Sequence, residues 1–437
     1  MLSKIKQTII DKIDSFILQV KLFIVIFENN CISYWFKKKP IKEIVKKNNI
    51  IIVGGELFNK GAQAMTFTAI DRMKKIKPYS KIFLFSSLDF SRENEEKAIY
   101  SFTIMPWNLE IKISLLNDMR NVFKKNDREC LRNSLKKIIK DAEYFIDVSG
   151  YALGSAWGWK RSVDYLLNIA VAKKYSIPYY IFPQSIGPFN YSFIDKLLLG
   201  FLMKSYLEYP KKIFCREEEG LTSLYKFTKN NIGKAYDIVL QSGEYDLSNI
   251  YVRKPYLKNV KIESNSVAII PSRKIVERID TGKFYSIYIS IIDKLINADK
   301  KVYILRHSFE DINICKKIKY YYLDNGIVKF IADDLNAIEL ERVIKQFDFI
   351  ITSRYHSIIH AYKNGIPALV IGWATKYQEL LDTFGQSEYH FDVRSGLDKD
   401  KLNLALNRLL SAYQYEKKKI TEKMGSLSEH NVYRALI

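Results

Sequence analysis

The run Asn49-Ile50-Ile51-Ile52-Val53-Gly54-Gly55 reads as a short β-branched strand that stops at a glycine pair. Behind it Ala62, Met65, Ala69, Ile70, Met73 and Ile76 recur at helical spacing until Pro78, and a second strand is expected over Lys81 to Phe85. Strand, crossover helix and strand make a βαβ unit, which implies a parallel sheet covered on both faces. The alternation continues outward, with a helix near Arg128 to Lys140, a strand at Tyr144 to Val148 and a helix near Arg161 to Lys174. Strands at Pro178 to Phe182 and Lys211 to Cys215 follow. A polar, tyrosine-rich stretch around 241–265 breaks the pattern and marks the best domain boundary. A second series then runs through strands at Val267 to Ile270, Val302 to Leu305, Val328 to Ile331, Phe349 to Thr352 and Ala368 to Ile371. The expected fold is α/β, two Rossmann-like domains facing each other across a cleft. The expected division is a basic amphipathic N-terminal segment over 1–47, one domain over 48–250, and a second over 251–437 that ends in helices. Ligands of such sheets bind beyond the carboxyl ends of the strands, so chemistry is sought there.

The 437 residues, 48% hydrophobic and 27% charged, are those of an ordinary globular protein and exclude a peptide, a disordered chain or a collagen. Lys and Arg number 69 against 48 acids, a formal charge of +21. That charge suits nucleic acid, an anionic membrane face or a phosphorylated substrate, although a lysine-rich sequence also arises from an AT-rich genome with no functional message. The first fifty residues hold ten lysines against four acids around the apolar run Phe16 to Phe27, which Lys21 splits. The run is too short for a spanning helix, and Glu28-Asn29-Asn30 follow it where a signal peptide would need small residues. Two readings remain. Either an interfacial helix meets anionic headgroups through Lys4, Lys6, Lys12 and Lys37 to Lys39, or the helix packs on the main body, the commoner arrangement. Cys31, Cys130, Cys215 and Cys315 show no metal-site or disulfide spacing, so no metal is expected and a cytoplasmic location is the default.

Several strand ends carry polar or glycine-rich turns. Asn59-Lys60-Gly61 leads into a helix and can present backbone N–H groups to an anion or a sugar hydroxyl; Asn59 and Gly61 equally suit a tight turn. After Asp147 comes Ser149-Gly150-Tyr151-Ala152-Leu153-Gly154-Ser155-Ala156-Trp157-Gly158, whose glycines and aromatics suit either a carbohydrate-facing loop or a plain surface loop. Pro183-Gln184-Ser185-Ile186-Gly187-Pro188 forms a rigid polar turn. Arg216 precedes Glu217-Glu218-Glu219 at a helix start, where a cation is misplaced unless an anion pairs with it. In the second half, Arg273 and His307 follow strands. The sharpest signal is Ser353-Arg354-Tyr355-His356, where a strand delivers a guanidinium that can fork onto phosphate or carboxylate and an imidazole that titrates near neutrality. No G-x-S-x-G elbow occurs, and Asp398-Lys399-Asp400 reads as a solvated turn.

Taken in order, Asn59 to Ala64, Pro183 to Pro188, Phe214-Cys215-Arg216-Glu217, Ser353-Arg354-Tyr355-His356 and Gly365-Ile366-Pro367 through Gly372-Trp373 resemble the polysaccharide pyruvyl transferase family. The S-R-x-H segment followed by Ala361 to Pro367 is the most specific part. The resemblance implies a GT-B-like fold with an acceptor side in the N-terminal domain and a donor side in the C-terminal one. It also implies transfer of the pyruvyl unit of phosphoenolpyruvate, as a co-substrate and without a further cofactor, onto a sugar hydroxyl pair as a ketal. On that footing Arg354, Tyr355, His356, Arg216, Arg273 and His307 are the expected donor residues. His356 is then either the acid or a phosphate ligand. Asn59, Gly61, Asp147, Gly150 and Gln184 are the expected acceptor residues, with Asp147 able to take a hydroxyl proton. The expected acceptor is a cell-surface polysaccharide or its lipid-linked precursor; the lysine-dense first fifty residues suit the inner membrane face where lipid-linked sugars are built, and nucleic acid is a distant third partner. Where members commonly show a run of glycines, this chain has Val148-Ser149-Gly150. The rivals are a GT-B nucleotide-sugar glycosyltransferase and, further off, a basic nucleic-acid-binding protein.

Overall fold

The apolar runs become strands of two wholly parallel sheets in the computed structural model, which describes residues 47–117, 126–323, 326–427 and 431–436. The basic segment expected over 1–47 lies outside the described residues but for its last position. In the first sheet β1 is Asn49–Val53, β2 Lys81–Phe85, β3 Thr103–Met105, β4 Ala142–Asp147, β5 Tyr179–Gln184, β6 Lys212–Cys215 and β7 Ile232–Lys234. In the second, β8 is Ser266–Ile270, β9 Lys301–Leu305, β10 Val328–Ile331, β11 Phe349–Thr352, β12 Ala368–Gly372 and β13 His390–Asp392. The strand orders are β3-β2-β1-β4-β5-β6-β7 and β10-β9-β8-β11-β12-β13. Both grow one way for three strands and then reverse, the fourth strand pairing with the first, as Rossmann sheets do, so the two Rossmann-like domains expected from the alternation are present.

Central strands read as unbroken apolar runs because helices cover both faces. Every residue of β1, β8 and β12 is buried. Ile51 lies between Phe83 and Phe145, and Ile350 between Ala268 and Ala368. The strands the sequence pattern does not reveal, β3, β7 and β13, are three residues long and stand at or near sheet edges, too short for a period of two to show.

The chain forms two compact units. One holds the described residues up to Gly55 together with Met73–Lys234, the other Glu56–Arg72 with Ala235–Ile437. The first is built on Ile51, Phe145, Leu166, Tyr179, Leu199 and Ile213. The second packs Ile269, Ile304, Ile350 and Val370 with Phe284, Tyr288, Ile358 and Ile359. This differs from a division at 250, and the tyrosine-rich stretch explains why. Tyr245 hydroxyl lies 3.1 Å from Thr68 Oγ1, Asn249 Nδ2 donates to Asp71 Oδ1 at 2.8 Å, and Tyr251 packs edge-on against Phe67. What looks like a polar linker is the seat of the Lys60–Ile76 helix.

At the end of β1, Gly54 has φ +72°, and a Cβ there would meet Ser149 Oγ at 1.9 Å and Ser149 Cα at 2.8 Å. The left-handed backbone costs a non-glycine residue about 1–2 kcal/mol and overpacking about 1–3 kcal/mol. Gly54→Ala should therefore lower the stability of the first unit by at least about 2 kcal/mol in chemical denaturation; a loss below about 0.5 kcal/mol would show that this strand end is not closed by Ser149.

Candidate active site

Three segments of the second unit converge at the carboxyl edge of its sheet, where strand order reverses between β8 and β11. From β11 the chain runs through Ser353 and Arg354 into the helix Tyr355–Lys363, so Tyr355 and His356 lie in its first turn. From β9 it runs into Arg306-His307-Ser308. The third segment is Asn59-Lys60-Gly61, where Asn59 Oδ1 caps the Lys60–Ile76 helix by accepting from the N–H of Gly61 at 2.9 Å and of Ala62 at 3.3 Å. Gly61 lies flat on the imidazole of His356, and a Cβ in its place would sit 2.2 Å from Nδ1.

The cluster sets the cations Lys60, Arg306 and Arg354 among the carboxylates Asp334, Asp311, Glu310 and Asp237. Lys60 and Arg306 are each only 7% exposed, yet Lys60 Nζ and Arg306 Nη2 both stand 3.0 Å from one oxygen, Asp334 Oδ1, on a side chain that is 64% exposed. Two buried cations thus lean on a surface carboxylate. Despite that distance Arg306 Nη2 makes no hydrogen bond, and His307 Nε2, equally buried, makes none either. Buried polar atoms without partners are costly, and these two suit an anion that brings its own oxygens. Burial first, then the charges of Arg354, His360 and Lys60, hold the His307 pKa well below its ordinary value. His307 is therefore a neutral hydrogen-bonding group rather than an acid.

Arg354 is gripped by carboxylates. Its Nε donates to Asp311 Oδ2 at 2.8 Å, and Nη2 donates to Asp311 Oδ1 at 2.5 Å and to Glu310 Oε1 at 2.6 Å. Burial alone would lower the guanidinium pKa, but Asp311 and Glu310 outweigh it and raise it. The fork expected to grip the donor holds Asp311 instead, and Arg354 contributes its charge. Asp311 also receives the backbone N–H of Arg273 at 3.0 Å and of Ser308 at 3.2 Å, which ties the ends of β8, β9 and β11 to one carboxylate. His356 Nε2 stands 3.6 Å from Asp237 Oδ2, whose side chain is fully buried. The carboxylate thus faces the imidazole nitrogen at ion-pair distance.

The remaining expected residues fall elsewhere. The Arg273 side chain is 59% exposed and pairs with Glu277 at 3.5 Å, so only its backbone N–H joins the cluster. Tyr355 meets His356 edge-on and lies under Lys376 Nζ at 4.9 Å. Arg216 is buried in the first unit with Nε donating to the Pro183 carbonyl at 3.0 Å. Asn59 and Gly61, expected on the acceptor side, belong to the second unit beside His356. Asp147 and Gln184 have no exposed surface. Asp147 accepts from Tyr179 hydroxyl at 2.6 Å, Ser149 N–H at 2.9 Å and Gln184 Nε2 at 3.4 Å; burial pushes its carboxyl up against those bonds. The base role expected for Asp147 gives way to joining β4 to β5. Gly150 accepts the N–H of Ser185 at 2.8 Å, in the loop beyond them. Asp398 Oδ1 accepts the N–H of Asp400 and Lys401 and so opens the Lys399–Leu427 helix.

Sequence reasoning passed over Lys60, Arg306 and Asp237. The first two adjoin residues it did select, Asn59 and His307. Asp237 carries no local signal, since its pairing with His356 crosses the whole second unit. A cavity of about 760 Å³ in that unit is lined by Tyr245, Arg342, Lys345 and Lys363 rather than by this cluster. Among the described residues no group of three or more His, Cys, Asp or Glu side chains is placed to hold a metal ion.

The state of His307 has a measurable consequence. Below about pH 6.5 the unfolded chain takes up a proton on this histidine while the folded chain, with its pKa held well below that, does not. Stability is lost as pH falls, by up to about 1.4 kcal/mol per pH unit for one proton. His307→Gln should show a shallower loss of unfolding free energy from pH 7 to 5 than the unaltered chain; equal slopes would mean that His307 is not held neutral.

A family model described as polysaccharide pyruvyl transferase matches residues 59–375. No curated protein sequence matches at a significant level. Among solved structures the chain is similar to the UDP-GlcNAc 2-epimerase from Methanocaldococcus jannaschii, with TM-score 0.53 and 14% identity over 83% of this chain and 92% of that one. It is similar to the glycotransferase of kitacinnamycin, with TM-score 0.53 and 12% identity over 90% and 97%. It also resembles the UDP-GlcNAc 2-epimerase from Neisseria meningitidis, with TM-score 0.51 and 13% identity over 87% and 97%. At such identities the likeness is one of fold, the GT-B type with two Rossmann-like units. The family match is of another kind, because it opens at the helix cap Asn59 and runs on past both Arg306-His307 and the Ser353 to His356 turn, and by it the chain belongs to the polysaccharide pyruvyl transferase family.

Proposed function

We propose that the enzyme transfers the pyruvyl group of phosphoenolpyruvate to two hydroxyls of a sugar, on a cell-surface polysaccharide or its lipid-linked precursor. The observation that carries this reading is the buried pair Lys60 and Arg306, which share a single exposed carboxylate oxygen next to the helix start that seats His356. Phosphoenolpyruvate bears a phosphate and a carboxylate, and so needs several cationic donors. Its phosphate replaces Asp334 between Lys60 and Arg306, accepts from His307, and gains from the N-terminal end of the Lys60–Ile76 helix.

His356, as the imidazolium, gives its proton to the methylene carbon, which takes it with the electron pair of the double bond. The first sugar hydroxyl bonds to the cation-like C2 and releases its proton. The bond from C2 to the phosphate oxygen breaks and phosphate leaves with the electron pair. The second hydroxyl then bonds to C2, closes the ketal and releases its own proton. Of the two protons released, one restores His356 and the other leaves with phosphate or solvent, so the reaction balances without a redox partner.

Two kinetic outcomes separate the roles. Lys60→Ala or Arg306→Ala should raise the KM for phosphoenolpyruvate by about tenfold or more, the worth of one charge-assisted hydrogen bond; a KM unchanged in both would place the donor elsewhere. His356→Gln should lower kcat by about 10² to 10⁴ with a small change in KM, and Asp237→Asn should lower kcat in the same direction. A large KM effect of His356→Gln with kcat intact would make His356 a phosphate ligand instead.

A further inference from the structure

In the first unit, the helices Gly158–Lys174 and Phe193–Tyr206 begin at one edge, just beyond the carboxyl ends of β4 and β5. Hydrogen bonds hold the two starts together. The N–H and hydroxyl of Ser155 donate to the Pro188 carbonyl at 2.9 and 2.8 Å, and Tyr191 hydroxyl lies 2.7 Å from Ser162 Oγ. Large apolar side chains stand in solvent along this edge, with Phe193 78%, Leu197 62%, Ile194 52% and Trp157 43% exposed. On the Phe193–Tyr206 helix, Phe193 and Leu197 stand one turn apart, Phe201 a turn further on packs against the core, and Lys196 and Lys204 lie on the same helix. Lys160 and Arg161 lie beside it on the neighbouring helix, all four exposed. Of the acids here, Asp195 accepts from the Ser192 hydroxyl at 2.7 Å within the helix cap and Asp164 pairs with Lys112 at 2.6 Å. Single exposed apolar residues are ordinary, but a contiguous apolar ridge framed by cations marks an interaction surface.

We propose that this edge docks on an anionic lipid bilayer. Phe, Ile, Leu and Trp enter the boundary of headgroups and acyl chains while Lys160, Arg161, Lys196 and Lys204 meet the anionic headgroups. Charge complementarity selects this occupant. A second copy packed face to face on the ridge would bring the same four cations against their counterparts, because such a contact is self-complementary. The first fifty residues of the chain, with ten lysines against four acids, are of the wrong sign as well. The inference rests on the reading of the acceptor as saccharide, and it selects the lipid-linked form. The loop that carries Gly150 at the end of β4 also carries Trp157, so an acceptor anchored in the bilayer would present its sugar beside the membrane-facing edge.

The test is sedimentation of the full chain with vesicles of phosphatidylcholine alone or mixed with phosphatidylglycerol, without phosphoenolpyruvate present. The expected result is binding to the mixed vesicles only, weakened by about tenfold or more in the Phe193→Ser, Leu197→Ser double variant. Its thermal midpoint, and its stabilisation by added phosphoenolpyruvate, should equal those of the unaltered chain, so a failure of the donor reading would show separately. The proposal is overturned if the unaltered chain ignores phosphatidylglycerol, if the double variant binds as tightly, or if the double substitution instead converts a dimer to a monomer in analytical ultracentrifugation.

Discussion

Gly61 touches the ring of His356 so closely that no side chain fits between them, and the charged cluster is organised around that contact. It sets the start of the Lys60–Ile76 helix against the first turn of Tyr355–Lys363. In the same cluster Lys60 Nζ and Arg306 Nη2 each stand 3.0 Å from Asp334 Oδ1. A methyl group at position 61 would push the imidazole and the helix start apart together, so His356 and Lys60 are positioned by one steric fact. The helix itself is held from behind by Tyr245, Asn249 and Tyr251, which is why its first part belongs with the second unit although the chain reaches it from β1.

Burying several cations at one sheet edge is unfavourable unless each has a counter-charge. The structure meets this in two ways. Arg354 is locked by Asp311 and Glu310 in short, paired hydrogen bonds, and Asp311 is itself held by two backbone N–H groups. That arrangement is rigid and joins three strand ends. Lys60 and Arg306 share one oxygen of a solvent-exposed aspartate, with an N–H of Arg306 left without a hydrogen bond. The first arrangement is architecture; the second is exchangeable, and an incoming dianion offers what Asp334 supplies only in part.

The architecture was largely legible in the sequence because buried parallel strands are unbroken apolar runs and the crossover helices have a clear period. The runs at Asn49, Tyr144, Val267 and Phe349 fall within a residue or two of β1, β4, β8 and β11. Three-residue edge strands left no pattern, and the Phe193–Tyr206 helix is apolar on nearly all sides, which blurs the alternation that marks a helix. For the site, Arg354, His356 and His307 stood out because arginine and histidine at strand ends are rare and conspicuous. Their roles were less legible. Whether a guanidinium meets a ligand or a neighbouring carboxylate depends on Asp311, forty-three positions away in the chain, and the acidic partner of His356 depends on Asp237. Asp147 and Gln184 looked like ligand groups because they end strands, whereas burial turns them toward each other.

The central claim is that the second unit's exchangeable cations hold the phosphate of phosphoenolpyruvate. A crystal structure of the enzyme with phosphoenolpyruvate bound tests it most directly. The account predicts phosphate oxygens within hydrogen-bond distance of Lys60 Nζ, Arg306 Nη2 and His307 Nε2, with Asp334 displaced and the Arg354 to Asp311 pair intact. Phosphate bound away from these atoms, with Asp334 still between Lys60 and Arg306, would contradict it.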